Sequence, residues 1–164
     1  MLHHRCSHFF TILTSNKLEA RFLIENIFTD IVFSYFTIKT ANQILPDVIK
    51  KYNFVLACKN EVMQTEKQIQ LSVTTSNNFK EYVELKQLLN SKISKFYQSI
   101  EDLESTGVVV KSIDEGLLDF PAKRFDDEVW LCWKAGETEI KFWHEKDSGF
   151  NGRKPIEVSD ESLV

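Results

Sequence analysis

At 164 residues, with 43% hydrophobic and 27% charged side chains, the chain suits one globular domain with a sizeable core. Its formal charge of −4 argues against a nucleic-acid binder, which carries a basic patch or stripe, and no apolar run approaches the roughly 18–20 residues that span a bilayer. Three scattered cysteines, Cys6, Cys58 and Cys132, fit reduced thiols better than a disulfide framework, so a cytoplasmic protein with no nucleic-acid or membrane partner is expected.

Residues 1–34 form a poorly patterned N-terminal extension. Leu18, Phe22, Leu23, Ile27, Ile31 and Phe36 follow a loose helical spacing that could make one short amphipathic helix. The other expectations are a disordered terminus or a stretch upstream of the true start, because Val32 is a residue that an alternative start codon could encode. The tip His3-His4-Arg5-Cys6-Ser7-His8 holds metal-ligand residue types. Zinc spacings separate two ligand pairs, however, and no second pair lies nearby.

At Tyr35-Phe36-Thr37 the pattern sharpens. Thr37 suits an N-cap, with Phe36 stapling over the first turn. Ala41, Ile44, Leu45, Val48, Ile49, Tyr52, Val55, Leu56, Val62, Met63 and Ile69 then repeat at three-four spacing, which predicts a long amphipathic helix. Pro46 predicts a kink or short break in it. Ser72–Asn78 is a loop by composition. Phe79, Tyr82, Val83, Leu85, Leu89, Ile93, Phe96, Tyr97, Ile100 and Leu103 share one face of a second helix, and Gly107 stands where a C-terminal cap needs positive φ. Two long helices joined by a short polar loop predict an antiparallel hairpin.

After Gly107 the period changes to two. Val108–Ile113, Leu118–Arg124, Val129–Lys134 and Glu139–Glu145 read as strands of an antiparallel meander. The fold class is therefore α+β, a helical hairpin followed by a three- to four-stranded meander packed on it, over residues 35–156. An acidic flexible tail, 157–164, follows. Pro121 has no N–H to give to a ladder, so its nitrogen should face an edge or a bulge.

Alternation puts Val129, Leu131, Trp133, Ile140, Phe142 and His144 on one face, and Trp130, Cys132, Lys134, Lys141, Trp143 and Glu145 on the other. A four-residue loop at Ala135–Thr138 sets Lys134 opposite Glu139, Leu131 opposite Phe142 and Trp130 opposite Trp143. A two-residue loop would oppose Lys134 with Lys141, a like-charge pair. By the same argument Phe120 faces Trp133, and Asp119 faces Lys134. The first face should cover the hairpin. The second would then present Trp130 and Trp143, an aromatic patch that marks a partner surface or ligand cleft unless another segment covers it.

The chain resembles the prokaryotic family called domain of unknown function 2203 over roughly residues 35–156. The matching stretches are Tyr35-Phe36-Thr37, Ala41-Asn42, Leu45-Pro46, Val110-Lys111, Gly116-Leu117, Leu118-Asp119-Phe120-Pro121-Ala122, Leu131-Cys132-Trp133-Lys134, Gly136-Glu137, Glu139-Ile140, Trp143-His144-Glu145, Gly149-Phe150 and Arg153. The chain departs from the family at Phe125-Asp126-Asp127, where a turn glycine is usual, and at Thr40, where an acidic residue would complete a capping box. The resemblance implies a shared fold and supplies no activity.

The candidate catalytic residues are His144, Cys132, Asp119 and Glu137, and the candidate ligand-binding residues are Trp130, Trp143 and Arg153. His144 with a carboxylate could work as an acid–base pair, although neighbouring strand positions point His144 and Glu145 to opposite faces. Cys132 needs a basic neighbour to become a nucleophile. Asp119, Glu137, Glu139, Glu145 and His144 match no zinc or calcium spacing, so the sequence assigns no metal and no cofactor. Arg153, on a Gly-hinged loop, could fold back onto Asp119 or Glu137. The preferred reading is an interaction or assembly protein, whose helical hairpin would mediate oligomerisation, as in a homodimer, and whose tryptophan-rich sheet face would bind a protein partner. The alternative is an enzyme or a small-ligand or metal-binding protein whose cleft collects Asp119, Cys132, Glu137, His144 and Arg153.

Overall fold

The computed structural model describes residues 35–75 and 78–157. The expectations for residues 1–34, and for the tail beyond Glu157, lie outside the described residues.

Thr37 opens helix α1 (Ile38–Thr75). Its hydroxyl accepts from the Thr40 N–H at 3.0 Å, and Thr40 Oγ1 accepts from the Thr37 N–H at 2.9 Å. A threonine thus closes the reciprocal capping box in place of the acidic residue. Phe36 packs edge-on against Phe120 with centroids 5.4 Å apart, stapling the start of the helix to the sheet. The helix is one element through Pro46, so the expected break does not form. Proline removes a single ladder bond there, and the ladder resumes beyond it.

α1 also runs through Ser72–Thr75, which composition had placed in the loop. The hydroxyls of Ser72, Thr74 and Thr75 donate to the carbonyls of Ile69, Leu71 and Gln70 behind them, which satisfies these polar groups inside the helix. Helix α2 (Phe79–Glu104) starts at Asn78, whose side chain accepts from the Lys80 and Glu81 N–H groups. Gly107 follows its end at φ +91°, as a left-handed cap requires.

The helices pair antiparallel. Lys51 donates to the Asp102 carbonyl at 3.0 Å, and Lys92 reaches Glu61 at 2.7 Å, so a step forward along α1 matches an equal step back along α2. Lys95 joins the Glu61 pairing at 3.4 Å, so charged side chains also link the two helices.

The described residues form a sheet in the order β1 (Val109–Ser112), β2 (Leu117–Arg124), β3 (Asp127–Lys134), β4 (Phe142–Glu145) and β5 (Lys154–Pro155), with every neighbouring pair antiparallel. The short β5 is one strand more than the pattern suggested. Beyond the end of β1, the Pro121 carbonyl accepts from the Phe36 N–H at 2.7 Å. Proline's nitrogen lies on that same edge, where no ladder donor is needed.

One core joins Ala41, Leu45, Val48, Tyr52 and Val55 of α1 and Leu103 of α2 to Leu118, Phe120, Leu131, Trp133 and Trp143 of the sheet. Tyr52 ties the layers together. Its ring meets Trp133 edge-on at 5.7 Å, and its hydroxyl donates to the Ile113 carbonyl at 2.9 Å. Gly116, at φ +65°, sits under both, where a Cβ would come within 2.3 Å of the Ala135 Cβ and 2.8 Å of the Tyr52 hydroxyl.

Two registers differ from expectation. Phe120 pairs with Leu131 and Asp119 with Cys132, two residues from the predicted pairing, a shift that keeps every side chain on its predicted face. Between β3 and β4 the pairs are Leu131–Trp143 and Trp130–His144. That shift is a single residue, and it turns all of β4 over.

The cause lies in the connection 135–141. Glu137 accepts from the Lys134 N–H through its carboxylate and from the Trp133 indole through its carbonyl, both at 2.8 Å. Ile140, buried in the core, gives its N–H to Asn42 of α1 at 2.8 Å. These bonds take 139–141 out of the ladder, so the predicted Lys134–Glu139 pair does not form and Glu139 instead meets Lys141 at 2.6 Å.

Candidate functional site

The inversion of β4 reassigns the site residues. Trp143 lies on the core side at 6% exposure, with the Arg124 guanidinium 4.6 Å from its ring centroid. The two-tryptophan patch therefore does not form, and Trp130 remains on the second face with the Lys111 ammonium 4.4 Å over its ring. His144 moves the other way, off the predicted core side and onto the face of Asp119 and Cys132.

Asp119 on β2, Cys132 on β3 and His144 on β4 consequently sit together. All three are buried, and one ligand atom from each lies within 4.8 Å of the other two. His144 Nε2 is 3.3 Å from Asp119 Oδ2. His144 Nδ1 is 2.8 Å from the Glu145 carbonyl oxygen. A carbonyl only accepts, so Nδ1 is the donor there and Nε2 is the ring nitrogen that faces the carboxylate.

Burial, followed by the charge of Asp119 and a hydrogen bond to it, pushes the Cys132 thiol up to about 12. Neither Lys134 nor Lys141 supplies the basic neighbour that Cys132 would need. Lys134 stacks over Phe150 at 4.9 Å, and Lys141 pairs with Glu139. As a free thiol Cys132 is not an activated nucleophile.

Glu137 and Arg153 belong to a separate structure. Arg153 bonds both Glu137 oxygens, at 2.8 and 2.7 Å, and the Cys132 carbonyl at 3.1 Å. Its guanidinium lies 4.1 Å over Phe142 and 4.9 Å over Phe150. Of the two acids considered for Arg153, Glu137 is the partner, and the pair clamps the loop 147–153 to the sheet. Glu145, exposed, pairs with Lys154. Of the residues proposed to share a cleft, the structure brings together Asp119, Cys132 and His144.

A cavity of about 160 Å³ adjoins the three, walled also by Lys111, Leu117, Lys146, Gly149 and Phe150. Lys111 Nζ lies 3.8 Å from Asp119 Oδ2, and Lys146 is held by Glu128 at 2.6 Å. Sequence reasoning did not select Lys111 as a site residue or Asn42 as the group that sets the site. Both stood in matched pairs, Val110-Lys111 and Ala41-Asn42, which was the available signal.

The family comparison matches residues 34–156 to the uncharacterized conserved protein family DUF2203, and the chain belongs to that family. No curated protein and no solved structure matches it. Among the described residues, no helix is long and apolar enough to cross a membrane.

Proposed function

We propose that this protein binds a divalent transition-metal ion of the zinc class through Asp119, Cys132 and His144, and acts on or carries a small ligand at that ion. The observation carrying this reading is the convergence of one carboxylate, one thiol and one imidazole, each buried, on a single point. With metal–donor distances of about 2.0–2.2 Å, neighbouring nitrogen and oxygen donors of a tetrahedral centre lie roughly 3.3–3.5 Å apart. The 3.3 Å between His144 Nε2 and Asp119 Oδ2 fits that edge. The bond from His144 Nδ1 to a carbonyl is the orienting contact that metal-bound imidazoles usually have. Mixed nitrogen, sulfur and oxygen donors suit zinc better than calcium or magnesium. Three protein ligands beside a cavity follow the pattern of reactive zinc sites, in which the fourth position is left for water or substrate.

Native mass spectrometry of gently purified protein, followed by titration of the metal-free chain with Zn²⁺ and Co²⁺, tests this. The expected result is one ion per chain and a thiolate-to-cobalt charge-transfer band, both weakened in Cys132→Ser and His144→Gln. A wild-type chain that is folded by circular dichroism yet takes up neither ion would sink the proposal and leave the cluster a hydrogen-bonded core feature. The same spectra read the oligomeric state and so test the expected homodimer.

A further inference from the structure

Resting on the metal reading, we infer that the fourth coordination position takes the carboxylate of a small organic acid, held jointly by the ion and by Lys111. Size is the first argument. The cavity of about 160 Å³ is well below the roughly 300–1,000 Å³ of drug-sized pockets, so the occupant has few heavy atoms. Its walls are the second. Leu117 and Phe150 give the cavity apolar sides, which favours a ligand with a short carbon chain over a bare inorganic anion.

Charge is the third argument. A divalent ion held by one carboxylate and one thiolate is locally neutral. Asp119, now spent on the metal, no longer balances Lys111, whose ammonium stands 3.8 Å from Oδ2 and is held over Trp130. Lys146 keeps its own partner in Glu128. One unbalanced cation beside an open metal position calls for a monoanion, and a carboxylate can accept from Lys111 while its other oxygen meets the ion.

The test uses the full chain loaded with Co²⁺ and titrated with propanoate, with 1-propanol as the neutral control. Propanoate should shift the visible bands of the bound cobalt saturably, and propanol should not. Lys111→Met should keep the cobalt yet raise the propanoate half-saturation by about tenfold, the loss of one charge-assisted hydrogen bond, while Lys111→Arg should retain most of the response. Cobalt bands that ignore propanoate, or that respond equally in Lys111→Met, would overturn this inference and leave the metal reading standing. No cobalt uptake by the folded wild type would overturn both.

Discussion

Ile140 gives its backbone N–H to the Asn42 side chain at 2.8 Å, a bond between the β3–β4 connection and the first turns of α1. With the Glu137 bonds to β3, it holds the segment before β4 out of the ladder and so helps place His144 on its side of the sheet. Asn42→Ala leaves that N–H without its partner and should cost about 1–2 kcal/mol, measured as a lower urea midpoint at unchanged slope. Because the bond helps set the facing of β4, zinc affinity should fall in the same variant. Unchanged stability would show that the segment holds its course by packing alone.

Cys132 carries a thiol pushed up to about 12 by burial and by Asp119, and its side chain is almost wholly enclosed. In the metal-free folded protein it should resist iodoacetamide at neutral pH and be alkylated only when urea unfolds the chain. Peptide mapping distinguishes it from Cys6 and Cys58. Fast modification of Cys132 before unfolding would contradict the environment described.

Arg153→Met strips Glu137 of both guanidinium bonds and frees the loop that Phe150 anchors. A half-buried carboxylate losing its guanidinium partner should cost about 2–3 kcal/mol. Removing Glu137 as well should cost less than the sum of the single changes, because the pair acts as a unit. Additive losses would argue against a clamp.

At the tip of the β2–β3 hairpin, Phe125 adopts φ +55° while its side chain is largely exposed. The left-handed region penalises a bulky residue and suits glycine. Phe125→Gly should stabilise the protein by about 1 kcal/mol, seen as a higher melting temperature. A decrease would mean that the ring and the Arg124 guanidinium stacked on it, 5.4 Å away, outweigh the backbone strain.

The hydrogen bond from Lys92, reinforced by Lys95, holds the Glu61 carboxyl below its usual value of 4.5. A depressed folded pKa contributes stability that is present above the unfolded value and lost as the pH falls through the folded one. Wild type should therefore exceed Glu61→Gln in stability at neutral pH, and the two should converge as the pH drops below about 4.5. Parallel acid-denaturation curves would remove Glu61 from the account of helix pairing.

Periodicity made the helices, the meander and the faces of β2 and β3 readable, because local spacing along each element decides which side chains share a face. Asp119 and Cys132 could be placed together on those grounds. His144 could not, since the facing of β4 depends on the bonds that the connection 135–141 makes to Asn42 and, through Glu137, to β3, and that connection looks, in sequence, like an ordinary polar turn. The C-terminal end of α1 was misjudged for a related reason. Ser72, Thr74 and Thr75 use hydroxyls to satisfy backbone groups, and composition alone reads such residues as loop.

The row Asp119–Cys132–His144 spans three adjacent strands, each joined to the next by a single connection, 125–126 and 135–141. Side chains alternate strictly, so inserting or deleting one residue in either connection, with the ladder taking up the slip, would send Asp119 or His144 to the opposite face. A change of two residues would keep both on the same face. Loop-length variation that preserves this triad should therefore come in steps of two, making these turns far less permissive than surface loops usually are.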